Sequence, residues 1–183
     1  MTQLYDKVEE FVKESFINAG KEASIKHFIR TAYWINVLKP VADEALLVSG
    51  VAHDIERSFN GDWVKCSTNP DILNKHQDLS AAKIAEFLKS LHTGSELIDR
   101  VKMLVGHHED GGNDDQNILK DADSISYFEN QASRHAIEWQ KKGKSVEDIK
   151  NKFDYTFNKI TSLKARQIAK PMYNDAIKKL TKN

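Results

Sequence analysis

The side chains in this sequence that could hold a metal ion are His27, His53, Asp54, His76, His107, His108 and an aspartate at 121 or 123. Imidazole and carboxylate without thiolate suit divalent iron, manganese, cobalt, nickel or zinc, and magnesium is not distinguished from them on these grounds. His53 and Asp54 are adjacent, at the end of a stretch whose other members include Ala45, Leu46, Leu47, Val48, Val51, Ala52 and Ile55. A helix apolar on every side is normally buried. Burying a carboxylate beside an imidazole is costly unless each finds a partner, and a metal ion is one such partner. The two oxygens of one aspartate can also bridge two ions, so the His-Asp pair could serve a site of one or two metals. Taken singly, each residue has an ordinary role. His27 reads as a hydrogen-bonded core histidine, His76 as a helix-start residue, and His107-His108 as a helix end, where a cation is favoured. Asp121 and Asp123 read as acids of a first helical turn. Their combination is what points to metal.

The elements that must position these residues are helical. Three prolines, eight glycines and little two-residue alternation predict an all-α fold. Leu4, Val8, Phe11, Val12 and Phe16 recur at helical spacing, with Gly20 placed to end that helix. Residues 24–38 carry two apolar stripes, one of them with His27 on an inward surface. Residues 44–57 form the buried helix with His53 and Asp54 near its end. Residues 58–75 read as a loop or short helical pieces, and 79–91 as a helix with His76 just before it or in its first turn. A further helix with Leu97, Ile98, Val101, Leu104 and Val105 is capped by Thr93 or Ser95 and runs into Gly106-His107-His108. Residues 109–116 form a solvated Gly- and acid-rich loop beside His108. A long helix spans about 117–142, Gly143 breaks it, Ser145 caps the next, and Thr161 caps the last, which Pro171 is expected to kink.

Composition bounds the function classes. A chain of 183 residues suits one domain. Lys plus Arg equals Asp plus Glu at 27 each, which gives no global pull toward nucleic acid or anionic membrane. The basic residues near the C-terminus lack interleaved aromatics, so nucleic acid is not the expected partner. Cys66 is the single cysteine, which excludes an intrachain disulfide or thiolate zinc cluster, and no catalysis is assigned to it. No apolar run approaches the roughly 20 residues of a membrane span, and the acidic amphipathic start lacks a secretory pattern. The expectation is a soluble cytoplasmic protein without membrane contact; the oligomeric state is left open.

The order His, then His-Asp, then a later Asp resembles the HD superfamily of metal-dependent phosphohydrolases. The resemblance covers about residues 22–130 and is carried by KHFIRTAYWI, LLVSGVAHDIERS, NKHQDLSAAKIAEFL, MLVGHHEDGG and ILKDADSISYF. It implies a single-domain helical bundle with a central metal site, on which C-terminal helices at about 145–181 pack. It implies His27, His53, Asp54 and Asp123 as ligands of one ion, and His76, His107 and His108 as additional ligands of a second, with Asp54 bridging. Residues 107 and 108 point about 100° apart on a helix, so both reach one ion only if the helix ends there. Periodicity favours Asp121 as the inward carboxylate and the family pattern favours Asp123. The implied activity is hydrolysis of a phosphomonoester or phosphoanhydride, with a nucleotide as the leading substrate class, by a metal-activated water that Asp54 orients. Arg57 is a phosphate-binding candidate, with pairing to Glu56 or Asp62 as its alternative role; Lys120 and Arg134 are weaker phosphate candidates. The resemblance extends to two-iron oxygenases, and a non-enzymatic domain binding metal or nucleotide is a third reading.

Overall fold

The computed structural model describes residues 2–61, 63 and 67–180, and among these there is helix and no strand. The helices are α1 (Gln3–Asn18), α2 (Ile25–Leu38), α3 (Glu44–Ala52), α4 (Arg57–Asn60) and α5 (Pro70–Ser90). They continue as α6 (Ser95–Val105), α7 (Asp114–Asn130), α8 (Ala132–Lys141), α9 (Val146–Asn158) and α10 (Leu163–Leu180). Cys66 and Asp62 lie outside the described residues.

Most helix starts follow from side-chain caps. Thr2, Asp43, Asn69 and Ser145 each accept a hydrogen bond from a backbone N–H of the turn that follows. Asn113 and Gln116 form a reciprocal capping box at the start of α7. Two starts, those of α5 and α7, therefore come earlier than periodicity suggests. Asn69-Pro70 is a cap followed by a first-turn proline, so α5 begins at residue 70 and His76 lies well inside it. The last helix is capped by Ser162, whose Oγ accepts from Ala165 N, rather than by Thr161. It runs through Pro171 as one element. The expected 117–142 helix is two helices, α7 and α8, separated at Gln131 (φ −120°, ψ −39°).

Two apolar clusters fill the bundle. One joins α1, α2, α3, α5, α6 and the first part of α7; the other joins the rest of α7 with α8, α9 and α10. Trp34 and Leu38 of α2 pack against both, so α2 and α7 form the spine of the domain. The spine meets α3 closely. A Cβ on Gly50 would stand 2.5 Å from Ile35 Cδ1 and 3.2 Å from Ala32 Cα, so the absence of a side chain there sets the α2–α3 spacing.

The buried helix expected over 44–57 ends at Ala52. His53 Nδ1 lies 2.9 Å from the carbonyl of Gly50, the oxygen that the Asp54 amide would take in a continuing α-helix. The backbone tightens instead, with Ile55 N to Ala52 O at 3.0 Å and Arg57 N to Asp54 O at 3.1 Å, both three residues back. His53 and Asp54 thus sit on a buried turn at the end of α3.

Candidate metal centre

Four histidines point their Nε2 atoms at two aspartates. His27 Nε2 and His53 Nε2 lie 3.2 and 3.3 Å from Asp123 Oδ1. His76 Nε2 and His108 Nε2 lie 2.7 and 3.6 Å from Asp54 Oδ1. His53 Nε2 is also 4.0 Å from Asp54 Oδ2. His27, His53 and Asp54 form one group whose donor atoms lie within 4.8 Å of one another, and Asp54, His76 and His108 form a second. Asp54 belongs to both. All of these residues are buried.

The proton on each imidazole follows from what its other nitrogen faces. His53 Nδ1 meets the Gly50 carbonyl at 2.9 Å, and His108 Nδ1 meets the Val105 carbonyl at 2.7 Å. His76 Nδ1 meets Glu56 Oε1 at 2.7 Å. Carbonyl and carboxylate oxygens only accept, so these three rings carry hydrogen on Nδ1. For His27 the argument takes one more step. Ser126 gives its hydroxyl proton to the His27 carbonyl at 2.7 Å, so its oxygen, 3.0 Å from His27 Nδ1, must accept from that ring. In the neutral state every Nε2 then presents a lone pair to the aspartates. This outward donation is the usual way a protein orients metal-binding histidines.

The geometry fits a divalent ion. Donor atoms about 2.1 Å from a shared ion and at right angles lie about 3 Å apart, the range seen around Asp123. His53 Nε2 and His108 Nε2 are fully buried and have no hydrogen-bond partner, an arrangement that a proton or a metal ion would complete. Without metal, burial lowers the affinity of His53 and His76 for protons, but the neighbouring carboxylates prevail and hold both above the ordinary imidazole value. Burial lowers His108, and repulsion from His53 and His76 adds to it. Burial works to raise Asp54, but Arg57, His53 and His76 hold it well below the usual carboxylate range. These buried His and Asp groups could hold a metal ion.

Beside Asp54 and Asp123 a small cavity of about 40 Å³ opens, lined by Arg57, Lys152 and Lys159 among its charged residues and by Tyr127 and Trp139 among its aromatic ones. Arg57 Nε lies 3.0 Å from Asp54 Oδ2, so it faces the site. Of its expected alternative partners, Glu56 is instead turned to His76. Lys159 bridges Glu109, at 2.5 Å, and Asp123 Oδ2, at 3.2 Å. Burial would raise the Glu109 carboxyl, yet Lys159 and Lys152 bring it down to about 2. The same two carboxylates outweigh burial at Lys159 and raise its ammonium above the ordinary lysine value. No family model, curated protein or solved structure matches the chain.

Most of the residues expected at the site meet there. His27, His53, Asp54, His76, His108 and Asp123 converge, and Arg57 borders them. Asp121 does not: its two oxygens accept from Thr161 N and Ser162 N at 2.7 and 2.8 Å and anchor the start of α10. His107 is exposed on a different surface, beside Asp110 and Lys102. The chain turns after Val105 so that only the second of the two adjacent rings points inward. Lys120 is also drawn away. Its Nζ donates to Asp110 O at 3.2 Å and Asn117 Oδ1 at 3.1 Å, and it lies outside the cavity wall. It pins the acid-rich loop, whose first residue, Glu109, is buried rather than solvated. Lys159, Lys152, Glu109 and Glu56 are the residues that sequence reasoning missed as parts of the site. Only Glu56 carried a local signal, as a second acid two residues beyond Asp54.

Proposed function

We propose that this chain is an HD-type metal-dependent phosphohydrolase that cleaves a small phosphomonoester or phosphoanhydride. The observation that carries this reading is the sharing of Asp54 between two His-Asp groups, with Asp54, His27 and Asp123 lining a cavity that Arg57, Lys152 and Lys159 border. Divalent ions held there would supply Lewis acidity and a water acidified to near neutrality. The protein side chains divide the remaining work. Arg57 can offer parallel N–H donors to a phosphoryl group, and Lys159 and Lys152 offset its charge. Glu109 fixes the ammonium of Lys159, which in turn holds Asp123 with Oδ1 toward His27 and His53. Asp54, with one oxygen toward each histidine group, is placed to orient the attacking water.

Elemental analysis and phosphate release test this directly. Protein purified without chelator is expected to carry close to two equivalents of a divalent metal and to release phosphate from a phosphoester panel that includes nucleotides. His53→Ala with Asp54→Ala is expected to lose both while remaining soluble; undiminished turnover in that variant refutes the reading. The all-imidazole and carboxylate donor set also suits a two-iron oxygenase. Dioxygen uptake by reduced, iron-loaded protein without phosphate release would favour that alternative.

A further inference from the structure

The cavity does not end at Arg57. A second, larger hollow of about 270 Å³ shares Asp54, Arg57, Gln131 and His135 with the first, so the two form one cleft with these four residues at its waist. Beyond the waist the wall is cationic, with Lys21 and Arg134 joining Arg57 over a floor that includes Phe16 and Phe28. Asp54, whose carboxylate is turned to the histidines, is the one acidic residue on that wall among the described residues. The first cavity differs in being balanced, with Glu109 and Asp123 opposite Lys152 and Lys159.

The break at Gln131 builds this second compartment. It separates α8 from α7, and Gln131, Arg134 and His135, spaced at i, i+3 and i+4, line the cleft. Lys21 reaches the same place from the turn after α1, where its Nζ donates to the Arg57 carbonyl at 2.7 Å. Arg134 is a third exposed and pairs with Glu138 at 3.3 Å, one turn further along the helix. Such an exposed helical pair is weak and leaves the guanidinium available to a better acceptor.

We propose that the compound handled by this site carries two anionic groups, one against the metal ligands and one in the outer compartment against Lys21 and Arg134. The chemical class is a small phosphoester with a second phosphate or a carboxylate at its other end. The proposal rests on the phosphohydrolase reading for the identity of the first group only; the second is read from the outer compartment itself.

Calorimetric binding to metal-loaded protein tests it without any bond being broken. The probes are alkylphosphonates, α,ω-alkanebisphosphonates and ω-phosphonocarboxylates in series of matched chain length. For at least one length the two-anion ligand is expected to bind about tenfold or more tightly than its one-anion counterpart. In Lys21→Met with Arg134→Met that ratio is expected to fall toward one. Comparing the two kinds of two-anion ligand tells phosphate from carboxylate. Ratios near one at every length, no binding by any two-anion ligand, or a preference that survives in the double variant would each overturn the proposal. If the double variant does not fold, Arg134→Gln alone reads the same ratio. Absence of hydrolysis would sink the phosphohydrolase reading and leave this measurement standing.

Discussion

Replacing Lys159 by Met removes the ammonium that faces both Glu109 and Asp123 while keeping most of the side chain's bulk. Glu109 is only 6 % exposed, so screening by solvent is slight. Its carboxyl lies at about 2 against an ordinary 4.5, a difference equivalent to about 3 kcal/mol in favour of the charged form. Lys152 supplies part of this, so the expected loss of stability at neutral pH is about 2 to 3 kcal/mol. The sign is set by the depressed folded value. The contribution is complete above the ordinary carboxyl value and is lost as the pH falls toward the folded one, because the unfolded chain takes up the proton first. At pH 3.5 about 1 kcal/mol of it is gone. Urea denaturation of chelator-treated protein at pH 7 and pH 3.5 measures both quantities. The gap between wild type and variant is expected to narrow on acidification, and adding Glu109→Gln to Lys159→Met is expected to recover part of the loss. A gap below about 1 kcal/mol at pH 7, or one that does not narrow, refutes the assigned balance of charges.

The remaining predictions concern the candidate metal ligands and the helices that carry them. Gly50→Ala places a methyl against Ile35 and the backbone of Ala32; it is expected to cost about 1–3 kcal/mol and to lower metal content at the His27–His53 side first, as α2 is pushed from α3. Full metal content in a stable Gly50→Ala protein would contradict this. Because the carboxylates hold His53 and His76 above the ordinary imidazole value, a metal ion binding there would have to displace protons. Affinity is therefore expected to fall with pH by about tenfold per pH unit for each proton displaced. Chelator competition between pH 6 and 8 checks this, and a flat profile counts against it. His107→Ala is expected to leave metal content unchanged and stability within about 0.5 kcal/mol; losing a metal equivalent would overturn its placement outside the centre.

The all-helical class and most of the site residues that converge were legible from residue type and order, whereas helical phase pointed to Asp121 and only the family resemblance pointed to Asp123. Helical periodicity is a strong signal, and histidines and aspartates at the ends of apolar stretches are conspicuous. What could not be read was the local geometry that aims them. His53 and His108 each turn a ring nitrogen to a carbonyl three residues back at a helix end. That bond, rather than helical phase, decides which of two adjacent rings faces inward. Asn69-Pro70 contained a cap signature that its turn-like composition obscured. Lys159 had no signal at all, since only the packing of α9 brings residue 159 to residues 109 and 123.

Asp121 and Asp123 stand two residues apart on α7, and both reach the segment between α9 and α10. Asp123 takes Lys159, and Asp121 takes the amides of Thr161 and Ser162. A fragment ending at residue 130 would contain every candidate metal ligand, yet it would strip partners from Glu109, Asp121 and Asp123 together. Glu109 and Asp123, both buried in the whole chain, would be left to repel one another next to the donor atoms, and Asp121 would lose its amide partners. The stretch that bears the motif and the stretch that can exist as an independent unit are therefore different lengths of chain. The C-terminal helices are not an appendage to a self-sufficient module; they close the electrostatic circuit of its centre.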